Sequence, residues 1–167
     1  LRWKLIDLED RSRRDNVSFF GFPEQIEKSD AKALLKTTLP ELLGLTFEPP
    51  QEFQRVHRIG PARRKHSDRP RPIIACFLRH EQARQTLAAA RTHTPHDFEG
   101  HNIWIAAVFS RETNNQRKAF LDLRPRLHQM DIKYGLFAPA RMWVTKDDQS
   151  KDFYDPEELS WTLDNHS

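Results

Sequence analysis

The densest chemistry in the sequence lies between Arg55 and Arg71. Seven basic side chains (Arg55, Arg58, Arg63, Arg64, Lys65, Arg69 and Arg71) stand there against a single acid, Asp68. Gly60, Pro61, Pro70 and Pro72 interrupt the stretch, which disfavours a helix and places the charges on a hairpin loop between two strands. An arginine fork gives two parallel hydrogen bonds to a phosphate and stays charged at any physiological pH. A loop so armed can close over a phosphate backbone; a merely solvated charged loop is the plainer alternative. Arg11, Arg13, Arg14, Arg91, Arg111, Arg117 and Lys118 recur at the junctions between elements, where one cleft could gather them.

Signals for bond-making chemistry are thin. His93, His96 and His101 lack the cysteine pair or nearby carboxylate that would complete a metal site, and they read as polar-loop histidines. Cys76 sits in an apolar run and suits a small sheet residue better than a nucleophile. No phosphate-binding glycine loop, no Gly-x-Ser-x-Gly and no paired carboxylates in a cleft are present. The acids of 147–158 alternate with lysines and read as a soluble tail. The sequence therefore points to no catalytic residue, no metal and no cofactor, with a nuclease as the remote enzymatic alternative.

The elements that must position these groups follow from patterning. Leu1, Leu5 and Leu8 recur at spacings of four and three, the rhythm of a coiled-coil seam interrupted at Ser12. The alternative is a first helical turn packed on its own domain. Residues 16–21 form a β-branched and aromatic strand ended by Gly21 and Pro23. Ser29 and Asp30 offer N-caps for a helix through Leu43, which Pro40 should kink or split. Residues 52–59 and 73–78 read as strands, 81–91 as an Ala-rich helix, 92–102 as a polar turn region and 103–108 as a fourth strand. The order β-α-β-β-α-β is the split βαβ arrangement of ferredoxin-like domains. Ser110 then caps a helix through Met130, bent at Pro125; 134–145 holds one or two short strands broken by Pro139; and Asp155-Pro-Glu-Glu opens a last helix.

If that first domain is an RNA-recognition motif, its central strands should carry base-stacking aromatics. Ser18 occupies the usual aromatic position of the first strand, and Ile73 and Ala75 those of the third. Phe19, Phe20 and Phe77 are better placed for core packing. Binding should then lean on phosphates, with weak sequence preference and steep salt dependence.

Composition agrees with a nucleic-acid partner once it is resolved along the chain. Lys+Arg 27 against Asp+Glu 24 leaves only +3 over 167 residues. Yet residues 52–91 hold ten basic groups and three acids, while residues 146–167 hold two lysines and seven acids. The asymmetry fits a polyanion on one part of the surface. No apolar run reaches membrane-span length and no signal peptide opens the chain. The lone Cys76 excludes a disulfide scaffold and fits a reducing compartment. The chain opens without methionine and reads as a fragment.

Taken in order, several motifs resemble the first-open-reading-frame protein of LINE-one retrotransposons. They are Leu8-Glu-Asp-Arg-Ser-Arg-Arg-Asp-Asn16, Phe20-Gly-Phe-Pro-Glu24, Val56-His-Arg-Ile59, Arg69-Pro-Arg-Pro-Ile-Ile74 with Phe77, and Ala88-Ala-Ala-Arg91. Phe109-Ser-Arg-Glu-Thr113, Arg117-Lys118 and Pro139-Ala-Arg141 continue the likeness to about residue 160. The family pattern departs at Ser18 and Cys76, where mammalian members often carry arginine, and at Ala138, which replaces a tyrosine. Phe137 is the candidate substitute ring. These departures suggest a divergent element or a domesticated relative.

The resemblance implies an α+β protein in three parts: residues 1–10 end a coiled coil, 11–108 form a ferredoxin-like RNA-recognition-motif domain, and 109–167 form a small α/β C-terminal domain. It implies a homotrimer assembled through that coil by Leu1, Leu5 and Leu8. Single-stranded RNA, with DNA as the alternative, would be bound and chaperoned in ribonucleoprotein particles, cytoplasmic and also nuclear, without a membrane. The implied RNA contacts, with the flanking cations read above, are Arg11, Arg13, Arg14, Arg58, Arg63, Arg64, Lys65, Arg69, Arg71, Arg91, Arg117, Lys118 and Arg141. The rival expectation is a protein-interaction module on a divergent fold of the same type.

Overall fold

The computed structural model describes residues 1–61, 69–92 and 95–165. The chain is mixed α+β with two antiparallel sheets and divides into two compact units. One comprises residues 12–108; the other joins residues 1–11 to residues 109–167. Each is described by itself.

In the 12–108 unit, β1 (Asn16–Phe20), β2 (Phe53–Arg58), β3 (Ile73–Phe77), β4 (His96–Phe98) and β5 (His101–Ala107) form one sheet of order β2-β3-β1-β5-β4. Strand alternation sends Val17, Phe19, Ile73, Phe77 and Ile103 to one face, where each is fully buried. On that face lie α2 (Ala31–Leu43), with Leu35 and Leu39, and α3 (His80–Ala90), with Ala83. Phe53 and Phe77 meet at 4.8 Å, and Phe22 meets Phe98 edge-on at 5.2 Å. Gln82 of α3, itself buried, donates to Pro49 O at 2.8 Å and accepts from Glu52 N at 3.2 Å, which fastens the entry to β2.

Local chemistry explains the boundaries. Asp30 caps α2, its carboxylate accepting from Ala33 N at 3.0 Å, and Gly44 ends it in the left-handed conformation. Pro40 does not split α2, which runs unbroken to Leu43. It lies in the last turn, and the Lys36 carbonyl it deprives of a backbone donor accepts from Gln51 Nε2 at 2.8 Å. Gly21 ends β1 at φ 108°, where a Cβ would lie 2.1 Å from the Asn102 carbonyl oxygen; no other residue fits.

Three further expectations shift. The 92–102 region is not only turn, since His96–Phe98 pairs with β5 through a hairpin whose corner residues, Glu99 and Gly100, both have positive φ. On β3 the side-chain parity is the reverse of that assumed: Ile73 and Ala75 point into the core, and Ile74 and Cys76 occupy the outer face. Phe20, expected in the core, lies on the outer face and is 41% exposed.

In the other unit, α1 (Arg2–Ser12) carries no buried residue. Next come α4 (Arg111–Leu121), α5 (Arg124–Gln129), the meander β6 (Lys133–Phe137), β7 (Arg141–Lys146) and β8 (Gln149–Phe153), and α6 (Pro156–Asn165). Phe120, Leu127, Met142, Phe153, Leu159 and Leu163 form its core. Ser110 caps α4 as expected, accepting from Thr113 N at 3.2 Å. The helix breaks at Asp122–Leu123, ahead of Pro125, because proline is tolerated in the first turn of a new helix and so begins α5. The acidic segment is not a tail. Asp147 and Asp148, both at positive φ, turn the chain into β8, and Glu157 and Glu158 fill the first turn of α6.

Candidate nucleic-acid interface

The cations named from the sequence divide by what the fold does with their donors. Arg58 is the extreme case, with a side chain only 6% exposed. Its Nε donates to Glu27 Oε2 at 2.8 Å. One terminal nitrogen donates to Phe22 O (2.9 Å) and Arg71 O (2.7 Å), the other to Pro23 O (2.5 Å) and Glu27 Oε1 (3.1 Å). All five N–H donors of a guanidinium are thereby used. Beside it, Arg71 grips Glu24 through Nε (3.0 Å), a terminal nitrogen (3.2 Å) and its own backbone N–H (3.1 Å). These bonds to arginine hold both carboxyls below the usual carboxylate range against the opposing pull of burial, and Glu24 in turn raises Arg71. Arg58 and Arg71 thus form the root of the basic loop rather than its free charge.

Of the loop's other cations, Arg69 is exposed; Arg63, Arg64 and Lys65 lie outside the described residues, as does His93. Arg14 is exposed just before β1, Arg13 is partly buried, and Arg91 is exposed at the C-cap of α3. Arg11 is exposed and paired with Asp7 at 2.9 Å, one turn away on α1.

In the second unit the fold assembles what the sequence scattered. Arg117 of α4 donates to Pro139 O at 2.9 Å, and its guanidinium lies 4.8 Å from the centre of the Phe109 ring. Partial burial lowers its pKa from the ordinary arginine value, which leaves a fixed cation with reduced hydration. Across the β6–β7 turn, Arg141 lies 4.6 Å from the Phe137 ring centre and bonds Asp152 at 2.9 Å. Lys118 is exposed on the next position of α4. Arg117, Arg141 and two rings therefore flank the turn that contains the cis Ala138–Pro139 bond. Such cation–ring pairs offer flat surfaces and charge together, the combination that single-stranded nucleic acid uses. Phe109 and Phe137 received no role from the sequence beyond Phe137's place near the missing tyrosine; an arginine eight residues after one ring and four after the other was the available signal.

The remaining candidates play other parts. Cys76 is buried, its thiol pushed up by desolvation, and Sγ lies 3.6 Å from Gln54 Oε1. His96 is buried with Nε2 3.2 Å from Ala90 O. Among the described residues no three His, Cys, Asp or Glu side chains converge on a metal position, and no helix is long and apolar enough to cross a membrane. Leu5 and Leu8 lie on α1, each 61% exposed, and Leu1, just before the helix, is exposed as well.

No family model matches the chain. It is similar to two mouse proteins over 93% of its length: LINE-1 type transposase domain-containing protein 1 (24% identical over 157 residues) and LINE-1 retrotransposable element ORF1 protein (24% over 159). The aligned region makes up 20% of the first relative and 44% of the second, so the chain spans less than half of either. A distant relation to LINE-1 ORF1-type proteins is what these matches support.

Proposed function

We propose that the chain is a non-catalytic binder of single-stranded RNA, and a nucleic acid chaperone, from the ribonucleoprotein of a non-LTR retrotransposon or a domesticated descendant. The observation that carries this reading is the paired-cation turn of the second unit. Arg117, partly desolvated, is positioned over Phe109 and Arg141 over Phe137, and exposed Lys118 stands beside Arg117 on α4. The LINE-1 likeness over 93% of the chain supports the retrotransposon context. The strand order β2-β3-β1-β5, with both helices on one face, supports an RNA-recognition-motif type of domain. Exposed Arg14, Arg69 and Arg91 extend the phosphate-contacting set, joined by Arg63, Arg64 and Lys65 of the basic loop. Many phosphate contacts and few base contacts let strands exchange while held, which is the physical basis of chaperoning.

The exposed leucine stripe of α1 supports self-association as a homotrimeric coiled coil. Burying each such side chain is worth roughly 1.5–3 kcal/mol, and α1 offers no other cover for Leu5 and Leu8.

Binding of a short single-stranded RNA at two salt concentrations tests the reading. Affinity should fall steeply with salt, and Lys118→Ala or Arg91→Ala should weaken it for every sequence alike while flattening the slope by about 0.7 per lost contact. Absence of binding at low salt would favour the rival, a protein-interaction module presented through α1 and the open sheet face.

A further inference from the structure

We propose that the outer face of the five-stranded sheet carries a base-stacking site built on Phe20 and Trp104, on strands other than the pair the sequence directed attention to. The inference rests on the reading of the chain as a binder of single-stranded nucleic acid, and it adds a base contact in the 12–108 unit, where the other proposed contacts are to phosphates.

Because Val17 and Phe19 point into the core from β1, Phe20 cannot; because Ile103 does so from β5, Trp104 must face outward. The two strands are antiparallel with Phe20 directly opposite Trp104, a placement that puts neighbouring side chains about 4.5–5.5 Å apart at Cβ. Both rings stay open, Phe20 at 41% and Trp104 at 53% exposure. The fold leaves about half of each ring in water; an unpaired base laid on them removes that apolar surface and gains stacking.

The surroundings select the occupant. Arg58 and Phe19 both pair with Ile73, so Pro72 stands between Ile59 and Phe20. Ile59 N donates to Pro72 O at 3.0 Å, and Ile59 is itself exposed. The row Ile59, Pro72, Phe20, Trp104 therefore crosses four strands, and it begins where the Arg-rich segment leaves and rejoins the sheet. Arg55 and His57 share this outer face and are exposed. Among the described residues Asp97, opposite Asn102 on β4 beside the Trp104 strand, is the one carboxylate that strand parity places there. Open rings on a face that also carries Arg55 and leads to the Arg-rich segment match a chain that alternates flat bases with phosphates. A protein partner seeking an apolar patch would gain nothing from the cations.

The test compares two single-stranded probes of equal length and charge, one bearing bases and one abasic throughout, each titrated with the full chain. Trp104→Ala and Phe20→Ala should each lose roughly 5- to 150-fold in affinity for the base-bearing probe. They should leave the abasic probe and the salt slope unchanged, and Trp104→Phe should retain most of the affinity. Unaltered binding of the base-bearing probe by both alanine variants would overturn the stacking site and leave the RNA reading intact. So would an equal loss on both probes. If the unsubstituted chain held neither probe at low salt, both readings would fall.

Discussion

Arg58 and Glu27, thirty-one residues apart, face each other fork to fork, with Nε to Oε2 at 2.8 Å and a terminal nitrogen to Oε1 at 3.1 Å. The pair ties the end of β2 to the 22–27 turn, and the remaining donors of Arg58 gather the carbonyls of Phe22, Pro23 and Arg71 around it. The basic loop therefore leaves the sheet from a fixed root. Removing the guanidinium would leave Glu27 ionised, nearly buried and alone, a change that costs about 3–5 kcal/mol. Arg58→Ala should lower stability to chemical denaturation by that order, whereas exposed Arg69→Ala should leave stability within about 0.5 kcal/mol. Equal stability of the Arg58 variant and the original chain would remove Arg58 from the root.

The same root sets an acid limit. Glu24 and Glu27 lie below their usual 4.5 in the folded chain, chiefly through hydrogen bonds from Arg71 and Arg58 respectively. The unfolded chain then binds more protons than the folded one near that pH, so the stabilisation is complete above 4.5 and is lost as pH falls through the lower, folded values. Glu81 is shifted the same way by Arg84, but that pair is exposed and screened by solvent. A thermal melt should be flat from about pH 7 to 5 and fall below about 4.5. Glu27→Gln should be less stable at neutral pH and should lose less on acidification; an identical acid limb would exclude the root as its source.

Much of the first unit is legible in sequence because its strands are apolar. Ile73–Phe77 and Asn16–Phe20 are read directly, as are the caps at Asp30 and Ser110. β4 and β8 are not. Their residues are polar, and what makes them strands is a hairpin corner of positive-φ residues that returns them to a partner strand. The functional groups divide in the same way. That Arg58 and Arg71 are consumed by Glu27 and Glu24 depends on contacts thirty-one and forty-seven residues long, to which no spacing rule applies. The exposure of Phe20 and Trp104, by contrast, follows from two-residue alternation alone once the neighbouring core residues are placed.

Pro40 and Gln51 make a compensating pair that can be tested as one. Gln51→Ala leaves the Lys36 carbonyl without its donor and should cost about 1–3 kcal/mol. In a Pro40→Ala background the restored backbone N–H can take that carbonyl, so the same substitution should cost distinctly less. Denaturation of the two single variants and the double variant measures the coupling. Additive effects would show that Gln51 does not serve the proline.

Asp10 supplies α4 with a cap from one hundred residues away. Its carboxylate accepts from Ser110 N at 2.7 Å and from the Thr113 hydroxyl at 2.5 Å, at the positive end of the α4 dipole. Ser110 can cap Thr113 N by itself, but its own N–H has only Asp10 among the bonds of this turn. Through this contact α1 is joined to the second unit, with Arg2 and Glu112 adding an exposed pair at 3.2 Å. Asp10→Ala should cost about 0.5–2 kcal/mol, and Asp10→Asn should recover part of that by keeping an acceptor. Hydrogen exchange should quicken at Ser110 and over the first turns of α4 in Asp10→Ala, with no change in the amides of β1 and β3. Uniform quickening through both units would show that Asp10 acts on global stability and not as the tie between α1 and α4.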